Sequence, residues 1–480
     1  MALPFPAEWS LAAVPSTVTA VWRGLQPVPA SSAIAPQELA KDTIAGAMGS
    51  FAFTLVSSFL SSYVKEGCLE VRLPKGKVIA FGQTPYVNGV VPVRLHVHTF
   101  AFFKRIAFFH DIGLAEAYMA GDFDVDHPQV LVDLFSLLVR NSASPSVSSQ
   151  REREGGERGG VKKWVTSLMY AVMCGVGSKM NSVSHHFFHS NSVKNARKNI
   201  AAHYDLPPSF FASFLGNTTV YSSALFASPA SSLDEAQYAK MDAIIAKARI
   251  DKSDTVLEIG GGWGDFAIYC ARKTGCKVTA ITISQQQYDH AVERIKKEGM
   301  EEQVEFKICD YRHVQGVYSR IVSIEMIEAV GHDYLPSFFD TIDRCLAPQG
   351  LAVIQAITMP EDRYDAYRKS SDFINKHIFP GGCCPSVRAL TIAAKNLTLC
   401  EVSEHAPHYA RTLREWRSAF LDSEQKIKAL GFDDVFIRKW VYYLTYCEAG
   451  FKERSIGLHH LVFSRSLNVK ALKRAGYDYE

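Results

Sequence analysis

The residues most able to do chemistry surround one glycine-rich segment. Residues 258–264 read Glu-Ile-Gly-Gly-Gly-Trp-Gly, with an acidic residue closing an apolar run that begins at Thr255. Glycines at alternate positions let a backbone turn sharply and approach a ligand closely. A helix is predicted to follow from Asp265 to Thr274, so the segment predicts a strand, a ligand-binding turn and a helix.

The same alternation of strand and helix continues beyond this turn. The next predicted elements are a strand from Lys277 to Ile283, a helix from Ser284 to Glu298 and a strand from Val304 to Cys309. This order predicts a parallel sheet with crossover helices. A dinucleotide site would need G-x-G-x-x-G and an acid ending the second strand. This chain has E-x-G-x-G-x-G and ends that strand with Thr282-Ile283-Ser284.

The E-x-G-x-G-x-G form resembles the first motif of class I methyltransferases, which use S-adenosylmethionine. The resemblance implies that Gly260, Gly262 and Gly264 cradle the amino-acid part of this cofactor and that Glu258 orients its ammonium group. It further implies that uncharged side chains hydrogen-bond to the ribose hydroxyls and that other residues contact the adenine amino group. The ribose residues would be Thr282 and Gln287, and the adenine residues Asp310 and Tyr311.

Two later strands carry polar residues in apolar surroundings. The segment from Arg320 to Gly331 contains Glu325 and Glu328, and acids seldom interrupt an apolar strand unless they face a site. The strand predicted over residues 351–358 has Gln355 isolated at its middle. A buried amide must be hydrogen-bonded, so Gln355 is either a tie within the core or a site residue.

Ordered matches along the chain resemble the cyclopropane-fatty-acyl-phospholipid synthase family, in its bacterial, mycobacterial and plant forms. The similarity covers Glu70 to Arg465. The matching stretches are His203-Tyr204-Asp205-Leu206, Tyr221-Ser222-Ser223-Ala224, residues 258–264, residues 281–284 with Gln287, Asp310-Tyr311-Arg312, residues 328–331, residues 378–382, His408-Tyr409 with Thr412-Leu413 and Trp416, and residues 442–451. The resemblance also implies that Tyr221 and Ser222 contact the cofactor carboxylate.

The resemblance implies a reaction and a base. A cis double bond attacks the sulfonium methyl, and the resulting carbocation loses a proton from the added methyl to close a three-membered ring. Bound bicarbonate accepts this proton in the family. Its cradle would consist of Ser223, Glu328, Gln355, Tyr409 and the backbone of Ile357.

Two positions depart from the bacterial pattern, where Ser223 replaces Cys and Gln355 replaces His. Both replacements retain a hydrogen-bond donor. Ring closure and simple methylation of the double bond therefore both stay open. Cys447 matches a cysteine proposed as catalytic for the family, but a packing role is preferred because its segment lacks the electropositive setting of a reactive thiol.

Composition restricts the classes of function. The 480 residues include 52 Lys and Arg against 49 Asp and Glu, a net charge of +3 that does not indicate nucleic acid as a partner. The 10 cysteines lack paired metal-type spacing, so no metal site is predicted and reduced thiols are expected. The expected location is cytoplasmic and peripheral at a membrane surface, where phospholipid acyl chains are the partner. Organelle targeting and a homodimer stay open.

The predicted fold is an α/β, Rossmann-like methyltransferase domain with a helical cap, joined to a smaller N-terminal α+β domain. The predicted parts are a flexible leader (1–40), a lipid-engaging accessory domain (41–141), a disordered linker (142–163), the catalytic domain (164–466) and a tail (467–480). Within the accessory domain, strand-like alternation runs from Val71 to Phe109, and two helices are predicted within Asp111–Asn141.

The role of one uncharged segment and two alternative functions stay open at this point. The uncharged stretch from Thr43 to Val64 predicts a packed helix first, an interfacial helix second and a membrane span third. A small-amine N-methyltransferase shares the core motif, but the long accessory domain disfavours it. A lipid-binding protein with a degenerate site would bind no cofactor, whereas Glu258 and the intact glycine turn predict binding.

Overall fold

The computed structural model describes residues 43–143, except position 88, and residues 206–469. The chain divides into two compact units, Ala2–Met180 and Asn181–Glu480. The predicted leader, most of the predicted linker, the segment 164–205 and residues 470–480 lie outside the described residues. The predicted domain boundaries therefore stay predictions.

Over residues 43–143, the first unit contains a small mixed sheet with three helices. Its strands have the order β2-β1-β3-β4, in which β1 is parallel to β3 and antiparallel to β2. The elements are α1 (Thr43–Tyr63), β1 (Cys68–Arg72), β2 (Val78–Gly82), β3 (Val93–Val97), α2 (Ala101–Met119), β4 (Phe123–Asp124) and α3 (Pro128–Ala143). Buried Phe102, Phe103 and Phe123 pack edge to face at its centre.

The strand-like interpretation of residues 71–109 is wrong for its last part. The strands end at Val97, and α2 begins at Ala101, ten residues before the predicted helical region. The reason is that Phe103 and Ala107 lie one turn apart on one helix face and are both buried. The backbone then leaves helical geometry at His110, which has φ of +52°, so the helix predicted from Asp111 is present as the second part of α2. The second predicted helix is present as α3.

The uncharged stretch near the start forms the packed helix that was ranked first. Ala52, Leu55 and Val56 on α1 are buried, and α1 contacts α2. Within the two described ranges, no helix combines the length and the apolar character that a membrane crossing requires.

The second unit is built on a seven-stranded sheet of order β10-β11-β9-β8-β5-β6-β7. Strands β5 to β9 are parallel, whereas β11 is antiparallel to both β9 and β10. The strands are β5 (Thr255–Ile259), β6 (Lys277–Thr282), β7 (Val304–Ile308), β8 (Tyr318–Ile324), β9 (Leu346–Thr358), β10 (Thr398–Glu404) and β11 (Gly457–Ser464). The predicted α/β class with a mostly parallel sheet is confirmed.

Helices cover both faces of this sheet and form the cap. They are α4 (Pro208–Ala212), α5 (Leu233–Ala248), α6 (Asp265–Thr274), α7 (Gln285–Lys297), α8 (Leu335–Cys345), α9 (Glu361–Tyr367), α10 (Phe373–His377), α11 (Val387–Ala393), α12 (Ala406–Asp422), α13 (Glu424–Ala429) and α14 (Asp434–Lys452). One apolar core joins the sheet to α5, α6 and α7, and a second joins it to α8 and α11. Helices α12 and α14 contact each other and bury Trp416 and Trp440.

The glycine turn between β5 and α6 requires its glycines for two reasons. Gly260, Gly262 and Gly264 have φ of +89°, +50° and +88°, in the region that favours glycine. A Cβ on Gly260 would also lie 2.7 Å from Cγ of Met326, whereas a Cβ on Gly262 would meet nothing within 4 Å. The turn therefore packs on one side and leaves open space on the other.

Gly260→Ala is expected to destabilise the protein more than Gly299→Ala. Gly299 has φ of +65° with open space around it, so alanine there costs only the backbone strain, about 1 kcal/mol. Gly260→Ala adds the Met326 clash, which costs about 1–3 kcal/mol more. Urea denaturation measures both free energies of unfolding, and equal losses would contradict the packing assigned to this turn.

Candidate active site

A cleft opens at the carboxyl ends of the parallel strands, where open α/β sheets bind their ligands. The cofactor residues predicted from the sequence line this cleft, with the exception of Gly264. The lining members are Tyr221, Ser222, Glu258, Gly260, Gly262, Thr282, Gln287, Asp310 and Tyr311. Gly264 instead begins α6 and lies close to Ala291.

Glu258 is the second-last residue of β5 and is 3% exposed. Its Oε2 atom is buried without a hydrogen-bond partner among the described residues. Burial, with a contribution from nearby Asp265, raises the pKa of Glu258 to about 8. A cation beside the open oxygen would lower this pKa and favour the charged carboxylate, and the ammonium of S-adenosylmethionine is such a cation.

Lys240 is a site residue that the sequence reasoning missed. It lies on α5, is 1% exposed, and its Nζ donates to Oγ of Ser222 over 2.7 Å. Burial lowers the pKa of Lys240 to about 8, while the carboxylates of Glu325, Asp265 and Glu258 act in the opposite direction. Its spacing of one helical turn from the apolar residues Ala236 and Ile244, which are also buried, was the signal that could have identified it.

Thr282 and Gln287 form one polar unit at the end of β6. Thr282 Oγ1 donates to Oε1 of Gln287 over 2.7 Å, and both residues are buried. Ser284 caps α7 by accepting from the backbone N–H of Gln287. This leaves the Gln287 amide N–H₂ group available to a ligand hydroxyl in the cleft.

Asp310 is paired with Arg312 in this structure. The Arg312 guanidinium donates to both carboxylate oxygens, at 2.8 Å and 2.6 Å. Burial acts to raise the pKa of Asp310, but the hydrogen bonds from Arg312 outweigh it and lower that pKa. Tyr311 follows on a short 3₁₀ turn and packs edge to face against Phe338.

A second polar cluster centres on Glu325, which the sequence analysis noted but left out of the predicted site. Its Oε1 accepts from the backbone N–H of Ser223 at 2.8 Å and from Nε2 of Gln355 at 2.6 Å. Its Oε2 accepts from the Tyr409 hydroxyl at 2.6 Å. Glu325 also lines the cleft, so it connects the cofactor residues to this cluster.

The structure separates the five residues of the predicted cradle into two sets. Ser223, Gln355 and Tyr409 meet at Glu325, and Ser223 contributes its backbone N–H while its hydroxyl donates to the carbonyl of Ala224. Glu328 instead accepts from the backbone N–H of Ile357 at 2.6 Å. Burial raises the pKa of Glu328 to about 8, with Glu325 contributing in the same direction.

His460 supports Gln355 from the neighbouring strand. The two residues are paired across β11 and β9, and His460 Nε2 lies 2.8 Å from Oε1 of Gln355. Burial lowers the pKa of His460 to about 2, so the ring is neutral and its Nε2–H donates to the amide oxygen. This bond turns the amide N–H₂ toward Glu325.

Aromatic side chains surround the cluster. The Tyr221 ring lies 5.4 Å from that of Trp416, and its hydroxyl is 3.0 Å from the hydroxyl of Tyr443. The Tyr409 ring stacks on Phe451 at 4.3 Å. Such rings can face positive charge while they exclude water.

Cys447 lies on α14 and is not among the residues that line the cleft. Burial raises the pKa of its thiol to about 12. A thiol with such a pKa is protonated near neutral pH and is a poor nucleophile. This setting favours the packing role.

Glu258→Gln is expected to weaken binding of S-adenosylhomocysteine by about tenfold or more, because a charged hydrogen bond contributes about 1.5–3 kcal/mol. Titration calorimetry measures the affinity. Glu301→Gln makes the same chemical change at an exposed position and serves as the matched control. Equal affinities of the two variants would contradict an ammonium contact at Glu258.

Comparisons with known proteins agree with this geometry. Residues 191–461 match the family described as mycolic acid cyclopropane synthetase. A tuberculostearic acid methyltransferase of Mycobacterium tuberculosis is 40% identical over 285 residues, which are 57% of this chain and 66%, just under two thirds, of that protein. The cyclopropane-fatty-acyl-phospholipid synthase of Escherichia coli is 30% identical over 382 residues, 79% of this chain and 90% of that protein.

A solved structure shares the fold of the second unit. A mycolic acid cyclopropane synthase in complex with S-adenosylhomocysteine and CTAB is 28% identical, with a TM-score of 0.53. The match covers 56% of this chain and 98% of that one. The product cofactor in that complex agrees with the cofactor that the cleft fits.

Proposed function

The chain belongs to the mycolic acid cyclopropane synthetase family of S-adenosylmethionine-dependent methyltransferases, and from this premise we propose that it transfers the methyl carbon of S-adenosylmethionine to the cis double bond of an unsaturated phospholipid acyl chain. One observation carries the proposal. The same cleft contains Glu258, which has an open buried oxygen, and Glu325, which joins a polar cluster under aromatic rings. The open oxygen of Glu258 suits a cationic cofactor. The cluster at Glu325 and its aromatic rings suit a reaction that develops positive charge and releases a proton.

S-adenosylmethionine supplies an electrophilic methyl group when it is bound. The π electrons of the alkene form the new carbon–carbon bond, and positive charge is left on the other alkene carbon. The aromatic rings near Tyr221 and Tyr409 keep water from this charge and face it with their π electrons. An alkene, which carries no polar handle, needs an apolar surface of this kind.

A cyclopropane is the leading product. A C–H bond of the added methyl breaks, its electrons close the ring onto the cationic carbon, and the proton leaves. The cyclopropane synthase of Escherichia coli, which aligns with 79% of this chain, supports this outcome.

Methylation without ring closure is the second candidate. A hydride shift first moves the charge to the carbon that carries the new methyl, and loss of a proton from that methyl then gives a methylene branch on the chain. The 40% identity to a tuberculostearic acid methyltransferase favours this candidate. Both products require a base beside the new methyl.

Bicarbonate does not fit the predicted cradle as this chain builds it. The donors from Ser223, Gln355 and Tyr409 are already bonded to the Glu325 carboxylate, and the Ile357 backbone N–H is bonded to Glu328. A bound bicarbonate would have to displace these carboxylates and repel them. No step of the proposed reaction therefore depends on it.

The proposal places the substrate at a membrane surface, with the first unit making peripheral contact. Its loop before β3 exposes Tyr86, Val87 and Val91, by 64%, 50% and 78%. Exposed apolar side chains of this kind suit contact with a lipid surface.

Expression in a host without cyclopropane or branched lipids is expected to produce fatty acids one methylene heavier than their unsaturated precursors. Gas chromatography detects them, and proton NMR distinguishes upfield cyclopropane signals from the vinyl signals of a methylene product. Glu258→Gln is the control and should yield much less product. Unmodified lipids in cells that contain the folded wild-type protein would contradict the proposed function.

A further inference from the structure

The backbone of Glu325 is held in an unusual conformation. Glu325 directly follows β8 and has φ of +49°, in the left-handed region that favours glycine. A non-glycine residue there costs about 1–3 kcal/mol and persists only where its surroundings hold it. Its backbone N–H donates to the carbonyl of Gln355 at 2.8 Å. The side chain is therefore present at a position where glycine would be less strained.

The carboxylate of Glu325 occupies the place that a separately bound anion would take. Its two oxygens accept from the backbone N–H of Ser223, the amide of Gln355 and the hydroxyl of Tyr409. Ser223, Gln355 and Tyr409 are three of the five residues that the family resemblance assigns to bicarbonate. A carboxylate and bicarbonate share a planar, negatively charged pair of oxygens, so one set of donors can hold either anion.

We propose that Glu325 is the built-in base of this enzyme: its carboxylate occupies the anion site and accepts the proton that leaves the added carbon, so that turnover requires no external bicarbonate. The inference rests on the proposed function and names the base for that reaction. It makes Glu325 a catalytic residue that reaches the reacting carbon from the wall of the cleft.

The step is balanced with Glu325 as the acceptor. The alkene π electrons make the new carbon–carbon bond, the sulfur–methyl bond breaks, and its electrons stay on sulfur as a neutral thioether. A C–H bond of the added carbon then breaks, and its electrons form either the ring bond or the methylene double bond. The proton moves to Glu325 and passes to solvent before the next turnover.

The surroundings suit an ionised base. Burial raises the pKa of Glu325, whereas the Tyr409 hydroxyl, the Ser223 N–H, the Lys240 ammonium and the Gln355 amide lower it. Burial outweighs the other influences, so the pKa of Glu325 is raised and its carboxylate is a stronger base than an exposed one. His460 fixes the Gln355 amide so that its N–H₂, and not its oxygen, faces the carboxylate.

Two substitutions of Glu325 separate a base from a structural group. Glu325→Gly removes the carboxylate, relieves the strain at φ +49° and opens the anion site. Glu325→Gln also removes the base, but its amide fills the same space. Both are expected to keep S-adenosylhomocysteine affinity and to lose about 100-fold or more of the turnover, the contribution of general base catalysis.

Rescue by small anions gives the decisive result. Added formate or bicarbonate is expected to restore turnover to Glu325→Gly but not to Glu325→Gln, and the wild-type rate is expected to be unchanged in buffer freed of carbon dioxide. A wild-type rate that depends on bicarbonate would overturn the proposal. The proposal would also be overturned if Glu325→Gly folded and bound cofactor but neither anion restored its turnover. Full activity of Glu325→Gly without added anion would overturn it as well.

Binding of ¹³C-labelled bicarbonate provides a readout that does not depend on the lipid. NMR is expected to detect binding to Glu325→Gly and none to the wild-type protein, whatever the substrate. Wild-type binding would contradict the anion site assigned to Glu325. Wild-type protein that binds no bicarbonate and also modifies no lipid would instead count against the proposed function.

Discussion

Buried negative charge is the constraint on which the rest of the cleft depends. Glu258 and Glu325 both lie at the cleft wall, and Glu258 is almost fully enclosed. Buried carboxylates are costly unless positive charge or hydrogen bonds compensate them. The charge of Lys240 lies close enough to interact with both carboxylates. Glu325 also accepts three hydrogen bonds, whereas Oε2 of Glu258 has no hydrogen-bond partner among the described residues. The cleft therefore favours a cationic ligand, which is what a sulfonium cofactor with an ammonium group provides.

The sheet order places the polar residues side by side. Glu258 lies near the end of β5, and Glu325 follows the adjacent β8. Gln355 lies in β9 next to β8, and His460 pairs with Gln355 from β11. Four neighbouring strands thus carry one polar row from the cofactor end to the proposed base. The parallel direction of β5, β8 and β9 is necessary for this, because it brings their carboxyl ends to one edge.

The sequence predicted the cofactor half of the site well, because each residue sits at a strand end or a glycine turn that local pattern reveals. For the second half, it placed Glu328 in the predicted cradle and left out Glu325. Both acids belong to one apolar segment, and only the positive φ of Glu325 turns its carboxylate toward Ser223 and Tyr409. Lys240 was missed because lysine side chains usually face solvent and no motif marks this position. The start of α2 was missed because a phenylalanine-rich run suits either a strand or a helix.

The most direct test of this account is a crystal structure of the protein with S-adenosylhomocysteine. The account predicts the ligand amino group within about 3 Å of Oε2 of Glu258 and the sulfur turned toward Glu325, whose bonds to Ser223, Gln355 and Tyr409 remain in place. A ligand amino group away from Glu258, or a separate anion that has taken those three donors from Glu325, would contradict it.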